Sequence, residues 1–392
     1  MLKIFFTLLA VLIASCTSSP NSEPPQNNLP RFGLNVSKQG ILQRNESPYV
    51  GIGVNYFDAF YRVLKNNNDK SYRKGFKELS SLEIPFVRFM AGGYWPNDMS
   101  LYQQKPQLYF ALMDEVVASA EKNNIGLIPS LFWNYAMVPD LVGESMNQWG
   151  NTKSKTQKFM RKYTREVVSR YKNSPAIWGW EFGNEMNLHT DLPNAADQRP
   201  PIVPNKGTPV SRSNKDELSA EHMSVALTEF AKVVRQIDKY RMVSSGNSMP
   251  RASAFHNSLD KSWKLDSRKQ TQQILKRDNP GSVNTISVHF YAGNQFFERK
   301  KIEYAGFIDN LVEVAKAEKK PVFIGEFGLC NGMGIALSKI SGEFKQLLAV
   351  MKDARIPLAA LWVYDLNSQK DTCNVTFTNT RSYQLKAIIV GE

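Results

Sequence analysis

The chain has 392 residues, of which 42% are hydrophobic and 22% charged, and its net charge is +13. This composition excludes a wholly disordered chain, and the length suffices for one large α/β barrel or two smaller domains. The positive residues are scattered, without a basic run or a helix-turn-helix or zinc-finger pattern, so no nucleic-acid partner is expected. A basic, soluble surface would instead suit anionic components of a cell envelope.

The N-terminus has the pattern of an export signal. Residues 1–15 carry one charge, Lys3, followed by an apolar run over 4–14 that is too short to span a bilayer stably. The run closes as Leu-Ile-Ala-Ser-Cys at 12–16, which resembles the lipobox of bacterial lipoproteins, where the cysteine is acylated. We therefore predict a signal peptide over 1–15 and lipid attachment at Cys16. A plain secretory signal with a cysteine near its cleavage site is the alternative.

Residues 16–30 are rich in Pro, Asn and Ser and lack apolar periodicity, which is typical of a flexible tether. The protein is thus expected to be exported and held at the cell envelope by its lipid. Thr17, rather than Asp, follows the cysteine, which favours the outer membrane if the cell is Gram-negative. Export also permits a disulfide between the remaining cysteines, Cys330 and Cys373, with two buried or loop thiols as the alternative.

Residues 31–392 are predicted to form one domain. Extended segments at 32–36 and 40–44 predict a short hairpin that closes the bottom of a barrel. Eight short apolar runs follow, each separated from the next by a polar loop and a helical pattern: 50–56, 86–90, 126–133, 177–185, 242–248, 285–291, 321–327 and 358–364. Strand then helix, eight times, predicts a (β/α)₈ TIM barrel. A doubly wound open sheet is the alternative, but no glycine-rich phosphate turn follows the first strand.

Apolar stripes at helical spacing occupy most gaps between these strands. One of them consists of Leu108, Leu112, Val116 and Ala120. Two gaps are unusually long, 136–156 after the third strand and 188–216 after the fourth. Both would lie on the catalytic face of a barrel, where we expect them to shape a binding cleft, with poorly ordered insertions as the alternative.

The fourth and seventh strands both end in a carboxylate. Residues 177–187 read Ile-Trp-Gly-Trp-Glu-Phe-Gly-Asn-Glu-Met-Asn, which places Asn184 and Glu185 at the strand end, and Glu326 follows Val-Phe-Ile-Gly. Active sites of parallel barrels lie at this end of the strands, and burying unpaired carboxylates is costly. Glycoside hydrolysis uses such a pair: one carboxylic acid protonates the leaving oxygen, and a carboxylate about 5 to 5.5 Å away attacks the anomeric carbon.

From residue 50 to 390 the chain resembles the clan A retaining glycoside hydrolases, and glycoside hydrolase family 5 most of all. The resemblance implies that Glu185 is the acid/base, that Asn184 bonds the sugar 2-hydroxyl and that Glu326 is the nucleophile. Strict alternation would point Asn184 and Glu185 to opposite faces, so the strand end must be irregular for both to act. The acid needs a raised pKa, which the nearby ionised Glu326 would supply.

Further positions match the same family. Arg88 lies at the end of the second strand, where its charge would keep the nucleophile ionised. His289 and Tyr291 match a His-x-Tyr pair on the sixth strand; the resemblance implies that the tyrosine reaches the nucleophile and that the histidine lines the sugar subsite. Trp362 in the eighth strand matches the aromatic floor on which the sugar stacks.

Trp133 and Asn134 follow the third strand and are included among the predicted substrate-binding residues. Endoglucanases of the family commonly carry a histidine there, whereas this chain has Leu-Phe-Trp-Asn at 131–134, nearer to mannanase-like branches. A β-mannan, a mixed β-glucan or a short β-linked glycoside would each suit the site. The remaining histidines, His189, His222 and His256, show no ligand spacing, so neither a metal nor another cofactor is expected.

Together these features predict a monomeric retaining glycosidase that cleaves β-linked oligo- or polysaccharides, of the endo-β-mannanase or endo-β-glucanase type. The alternative is a carbohydrate-binding envelope lipoprotein that keeps the barrel and does not cut the glycan. The presence of both Glu185 and Glu326 argues against that alternative, because a protein that only binds sugar does not need two carboxylates.

Overall fold

The computed structural model describes residues 32–291, 296–297, 300–301, 303–331, 333 and 337–390. The predicted signal peptide, Cys16 and the tether lie outside these residues. Within the described part of the chain, no helix is both long and apolar enough to cross a membrane.

Eight parallel strands form one sheet that follows the order of the chain and returns from the last strand to the first. They are β1 Gly51–Asn55, β2 Phe86–Met90, β3 Gly126–Phe132, β4 Gly179–Gly183, β5 Met242–Ser244, β6 Ile286–Tyr291, β7 Val322–Gly328 and β8 Leu358–Leu361. Between β5 and β6 the barrel is closed by isolated hydrogen bonds, including one of 3.1 Å from the Asn284 N–H to the Val243 carbonyl. The predicted (β/α)₈ barrel is confirmed.

Helices surround the sheet. Those found in the described ranges are α1 Tyr61–Lys65, α2 Tyr72–Ser81, α3 Ser100–Gln104, α4 Pro106–Lys122, α5 Met137–Leu141, α6 Lys155–Tyr171, α7 Ala220–Ile237, α8 Ala254–Asp260, α9 Arg268–Asp278, α10 Tyr304–Glu318, α11 Leu337–Asp353 and α12 Ser382–Val390. Serine side chains cap the N-termini of α6, α7 and α9 by accepting a backbone N–H.

Helix α4 shows where periodicity alone was wrong. Leu112, Val116 and Ala120 are buried as predicted, but Leu108 is 40% exposed. Tyr109 and Met113 occupy the buried face in its place. The buried stripe thus runs through Tyr109 and Met113 at its N-terminal end, and Leu108 faces solvent.

A small antiparallel sheet closes the N-terminal end of the barrel. Its strands are Leu34–Val36, Leu42–Arg44 and Ser47–Pro48. The Leu34 N–H donates to the Trp178 carbonyl at 2.8 Å, and Leu34, Leu42 and Trp178 belong to one buried apolar cluster. The predicted hairpin is confirmed, with a third short strand added to it.

The long loops at the opposite end are ordered and tied together. Arg212, from the loop after β4, donates to both carboxylate oxygens of Asp140 at 2.6 and 2.8 Å, and the two side chains are only 6% and 1% exposed. Cys330 and Cys373, which follow β7 and β8, form a disulfide with a Cα–Cα distance of 4.4 Å. These links hold the loops at this end of the barrel, and the disulfide excludes the alternative of two free thiols.

Candidate active site

The end of β4 is irregular, as the sequence requires. The strand ends at Gly183, and Glu185 adopts a left-handed backbone conformation with φ 50° and ψ 25°. This turn lets Asn184 accept a hydrogen bond from Arg88 Nη2 at 2.8 Å while Glu185 Oε1 lies 3.0 Å from His289 Nδ1. A non-glycine residue in this conformation costs about 1 to 3 kcal/mol, and such strain is concentrated at functional sites.

Gly246 holds this turn from the loop after β5. Its carbonyl accepts the Glu185 N–H at 2.8 Å. Gly246 has a φ of +72°, and a Cβ on it would lie 1.9 Å from the Gly183 carbonyl oxygen. Only glycine fits there, because any side chain would push the backbone of β5 away from the end of β4.

A bulge near the end of β7 changes the direction of the Glu326 side chain. The register of β7 against β6 shifts between Ile324 and Glu326, so that Glu326 turns inward with a side chain 5% exposed. Arg88 Nη1 donates to Glu326 Oε1 at 2.8 Å, and the Tyr291 hydroxyl donates to Oε2 at 2.5 Å. Both oxygens of this carboxylate are therefore bound before any ligand arrives.

The two predicted catalytic carboxylates meet across the barrel. Glu185, His289 and Glu326 each present one atom within 4.8 Å of the others. The imidazole lies between the carboxylates, with Nδ1 3.0 Å from Glu185 and 3.5 Å from Glu326. A separation of this size suits direct attack on a sugar by one carboxylate, whereas inverting enzymes hold the pair about 6.5 to 9.5 Å apart to admit water.

The same three residues are spaced closely enough to be considered as a metal site. Their surroundings oppose it, because the Arg88 guanidinium already lies 2.8 Å from Glu326 Oε1. A second cation at that carboxylate would be repelled at short range in a poorly solvated site. The set is better suited to holding and moving protons than to binding a metal ion.

Arg88 is fully buried and connects four strands. Its guanidinium donates to Glu181 Oε1 at 2.7 Å, Asn55 Oδ1 at 3.0 Å, Glu326 Oε1 at 2.8 Å and Asn184 Oδ1 at 2.8 Å. Asn55 and Glu181 are not among the residues predicted from the sequence. The available signal was a polar residue inside an otherwise apolar strand, since a fully buried amide or carboxylate needs a partner.

The two carboxylates have shifted pKa values, in opposite directions. Burial raises the pKa of Glu326, although the charges of His289 and Arg88 and the hydrogen bond from Tyr291 oppose it. Burial also acts to raise the pKa of Glu185, but the hydrogen bond and charge of His289 outweigh it and leave that pKa below its ordinary value. The raised pKa predicted for Glu185 is therefore wrong for the substrate-free site, because His289 lies closer to Glu185 than to Glu326.

The two predicted aromatic residues differ in exposure. Trp133 is 5% exposed, and the Arg88 guanidinium carbon lies 4.4 Å from the centre of one of its rings. Trp362 is half-buried, stacks against Trp133 at 6.1 Å and donates its Nε1–H to Gln369 Oε1 at 2.9 Å. Trp133 thus packs behind Arg88, while Trp362 is the more accessible of the two.

The side chain of Asn134 is used by the backbone around it. It donates to the Tyr94 carbonyl at 3.1 Å and accepts the Ala136 N–H at 3.0 Å, which shapes the turn after β3. The next residue, Tyr135, stacks on His189 with ring centres 4.2 Å apart. Burial lowers the pKa of His189 to about 4, so this imidazole is neutral near neutral pH.

Known proteins resemble this chain in sequence family and in fold. The family model described as cellulase (glycosyl hydrolase family 5) matches residues 51–368. A probable mannan endo-1,4-beta-mannosidase F from Aspergillus flavus is 25% identical over 223 residues, 55% of this chain and 41% of that protein. A putative mannan endo-1,4-beta-mannosidase 9 from Oryza sativa subsp. japonica is 22% identical over 306 residues, 72% of this chain and 67% of that protein.

The chain spans less than half the length of the Aspergillus relative. Among solved structures, the endo-1,4-beta-mannanase from Rhizomucor miehei matches with a TM-score of 0.64 and 14% identity, over 92% of this chain and 99% of that one. At this identity the match shows a shared barrel fold.

Proposed function

This chain belongs to glycosyl hydrolase family 5, and we propose on that premise that it hydrolyses β-linked glycans with retention of configuration. The observation that carries the proposal is the pair Glu185 and Glu326, whose oxygens lie within 4.8 Å of each other at the ends of β4 and β7. β-Mannan is the first substrate to test, because the similar proteins above are named as mannosidases or mannanases. The sequence at 131–134 supports the same choice.

In the first half of the reaction, a Glu326 oxygen attacks the anomeric carbon and forms an ester bond to the sugar. The bond from that carbon to the glycosidic oxygen breaks, and the electron pair stays on the leaving oxygen, which takes a proton from Glu185. Arg88 and Tyr291 hold the attacking carboxylate in place through its two oxygens.

In the second half, Glu185 accepts a proton from water while the water oxygen attacks the same carbon. The ester breaks, and Glu326 leaves as a carboxylate, so that both residues regain their starting state. Esterification of Glu326 removes its negative charge, which lowers the pKa of Glu185 and favours its action as a base in this step.

Substrate binding also favours the protonated form of Glu185 that the first step needs. A sugar lodged between the carboxylates displaces His289 from Glu185, and the pKa of Glu185 rises once that hydrogen bond is lost. We expect Asn184 to bond the 2-hydroxyl and Trp362 to stack on the sugar. Trp133 acts through Arg88, on which it packs.

The N-terminal pattern supports export and attachment of a lipid at Cys16 to a monomeric protein at the cell envelope. The Cys330–Cys373 disulfide fits this location, since disulfides persist in oxidising compartments. Replacing Cys16→Ser should abolish palmitate labelling and move the protein from the membrane fraction to the soluble fraction. Unchanged labelling would contradict lipid attachment at this residue.

The test of the enzyme begins with release of reducing sugar from β-mannan, mixed-linkage glucan, carboxymethyl cellulose and aryl β-glycosides. Glu326→Ala and Glu185→Gln should each lower turnover of the best polymer by about a thousandfold or more. Glu229→Gln, on the outer helix α7, is the matched control and should keep full activity.

Azide separates the two roles. This small anion needs no general base, so it can replace water in Glu185→Gln, and it can occupy the space of the missing carboxylate in Glu326→Ala. With an activated aryl glycoside, azide should accelerate Glu185→Gln and give a glycosyl azide of retained configuration. With Glu326→Ala it should give the inverted azide. Full turnover in either variant would overturn the assignment, and sugar binding by the wild type without any product would indicate a non-cutting binder.

A further inference from the structure

Glu181 is a buried carboxylate that the two-carboxylate mechanism does not use. It lies in the middle of β4, its side chain is 0% exposed, and its Oε1 accepts the Arg88 Nε–H at 2.7 Å. Its other oxygen has a long contact with the Ser244 hydroxyl at 3.4 Å. Arg88 is thus the main partner of this carboxylate among the described residues.

The charges around Arg88 do not balance one to one. One guanidinium contacts two carboxylates through different nitrogens, Glu181 at 2.7 Å and Glu326 at 2.8 Å. Because Glu181 is the more deeply buried carboxylate, it has no solvent to stabilise its charge and depends on Arg88. A charge at Glu181 therefore reduces the net positive field that reaches Glu326.

The contacts also fix the orientation of Arg88. Glu181 binds the Nε edge of the guanidinium, Asn184 binds Nη2, and the Trp133 rings lie on one face. Without a partner at Nε, the guanidinium would be free to rotate about the Cδ–Nε bond and would lose its alignment with Glu326. A planar group with partners on both edges is held in a single orientation.

We infer that Glu181 is a positioning residue for this site. It fixes the orientation of the Arg88 guanidinium and offsets part of its charge. Glu326 thereby stays basic enough to attack. The inference rests on the proposed function. A carboxylate that merely stabilises the barrel would leave the chemistry of Glu326 unchanged. Asp238, which pairs with the buried Arg241 at 2.7 Å near the other end of the barrel, shows what such a residue looks like.

The first experiment compares Glu181→Gln with wild type across the pH profile of kcat/KM. The amide keeps the shape and the acceptor oxygen but removes the charge. The uncompensated Arg88 then favours the ionised forms of Glu326 and Glu185, so both limbs of the profile should move to lower pH by about one unit. The maximum should fall about tenfold, because a less basic carboxylate is a weaker nucleophile.

Two controls separate charge from packing. Glu181→Asp keeps the charge and should restore the wild-type position of both limbs, even if the shorter side chain lowers kcat. Asp238→Asn removes a comparable buried charge and should lower the melting temperature without moving the profile. A Glu181→Gln profile that coincides with wild type, or one that Asp238→Asn reproduces, would overturn the inference.

A second measurement needs neither activity nor a folded Gln variant. Glutamate labelled with carbon-13 at the side-chain carboxyl gives a signal for Glu181, assigned by its loss in Glu181→Asp. That signal should be that of a charged carboxylate at neutral pH, as its ion pair with Arg88 at 2.7 Å requires. A protonated Glu181 at neutral pH would contradict the inference. Absence of turnover by the wild type on every glycan would instead count against the proposed function alone.

Discussion

Arg88 and Arg241 are both 0% exposed, but they serve opposite ends of the barrel. Arg241 precedes β5 and donates to the carbonyls of Ile177, Lys172 and Ser174 and to the Asp238 carboxylate, at 2.6 to 3.0 Å. Most of its partners are main-chain groups of one loop. Such partners cannot move without moving the backbone, so this arginine fastens the fold.

The Arg88 guanidinium makes as many hydrogen bonds, but all of their acceptors are side chains, from β1, β4 and β7 and from the residue after β4. Two of those partners are carboxylates, so the guanidinium charge is shared. Side chains can change protonation state or exchange partners when a ligand binds. The contrast shows that burial does not distinguish a structural arginine from a functional one; the chemistry of the partners does.

The largest expected effect comes from replacing each arginine with lysine. Arg88→Lys should lower kcat/KM by about a hundredfold to a thousandfold, because an ammonium group cannot hold Glu326, Asn184 and Glu181 together. Arg241→Lys should lower the free energy of unfolding by about 3 kcal/mol and change kcat/KM by no more than about twofold. Steady-state kinetics and urea unfolding of both variants measure these losses. Equal losses of activity in the two variants would contradict the distinction between Arg88 and Arg241.

An intermediate effect is expected at Tyr291, whose hydroxyl bonds Glu326 Oε2 at 2.5 Å. This hydrogen bond lowers the pKa of Glu326, so Tyr291→Phe should raise that pKa and move the limb of the kcat/KM profile that reports Glu326 to higher pH. Glu181→Gln should move it the opposite way. Loss of one hydrogen bond to a charged group should also lower kcat about tenfold.

Tyr163→Phe is the matched control for this change. Tyr163 is a buried tyrosine of helix α6, and its hydroxyl donates to the Ala91 carbonyl at 2.6 Å. Its loss should cost about 1 kcal/mol of stability and leave the pH profile in place. If both variants shift the Glu326 limb equally, the hydroxyl of Tyr291 has no special relation to Glu326.

The smallest effect concerns acid stability at the catalytic end. The pKa of His189 falls from 6.5 to about 4 in the folded protein because the ring is buried. Between these values the unfolded chain binds more protons, so stability decreases as pH falls from 6.5 towards 4. His189→Gln should make this decrease shallower in urea titrations. Tyr135→Phe, which keeps the stacked ring, should retain the wild-type dependence of stability on pH. If this dependence is unchanged in His189→Gln, the loss of stability in acid does not come from His189.

Much of the fold follows from local patterns. The eight apolar runs, each followed by a helical stripe, predicted a barrel because strand and helix periodicities are properties of short segments. The strand ends were also predictable: parallel strands place their carboxyl ends on one face, so Glu185, Glu326 and Tyr291 had to lie near one another. Leu108 is an exception, since the face of α4 that is buried includes Tyr109 and Met113 and leaves Leu108 exposed.

What the sequence by itself determined is thus the barrel, the family resemblance and the pair of carboxylates at its catalytic end. Only the tertiary structure revealed Asn55 and Glu181 as partners of Arg88, the Cys330–Cys373 bond and the opposite pKa shifts of Glu185 and Glu326. The physical reason is that charge interactions and hydrogen bonds depend on distances of a few ångströms between strands far apart in the chain. Those distances exist only once the barrel has closed.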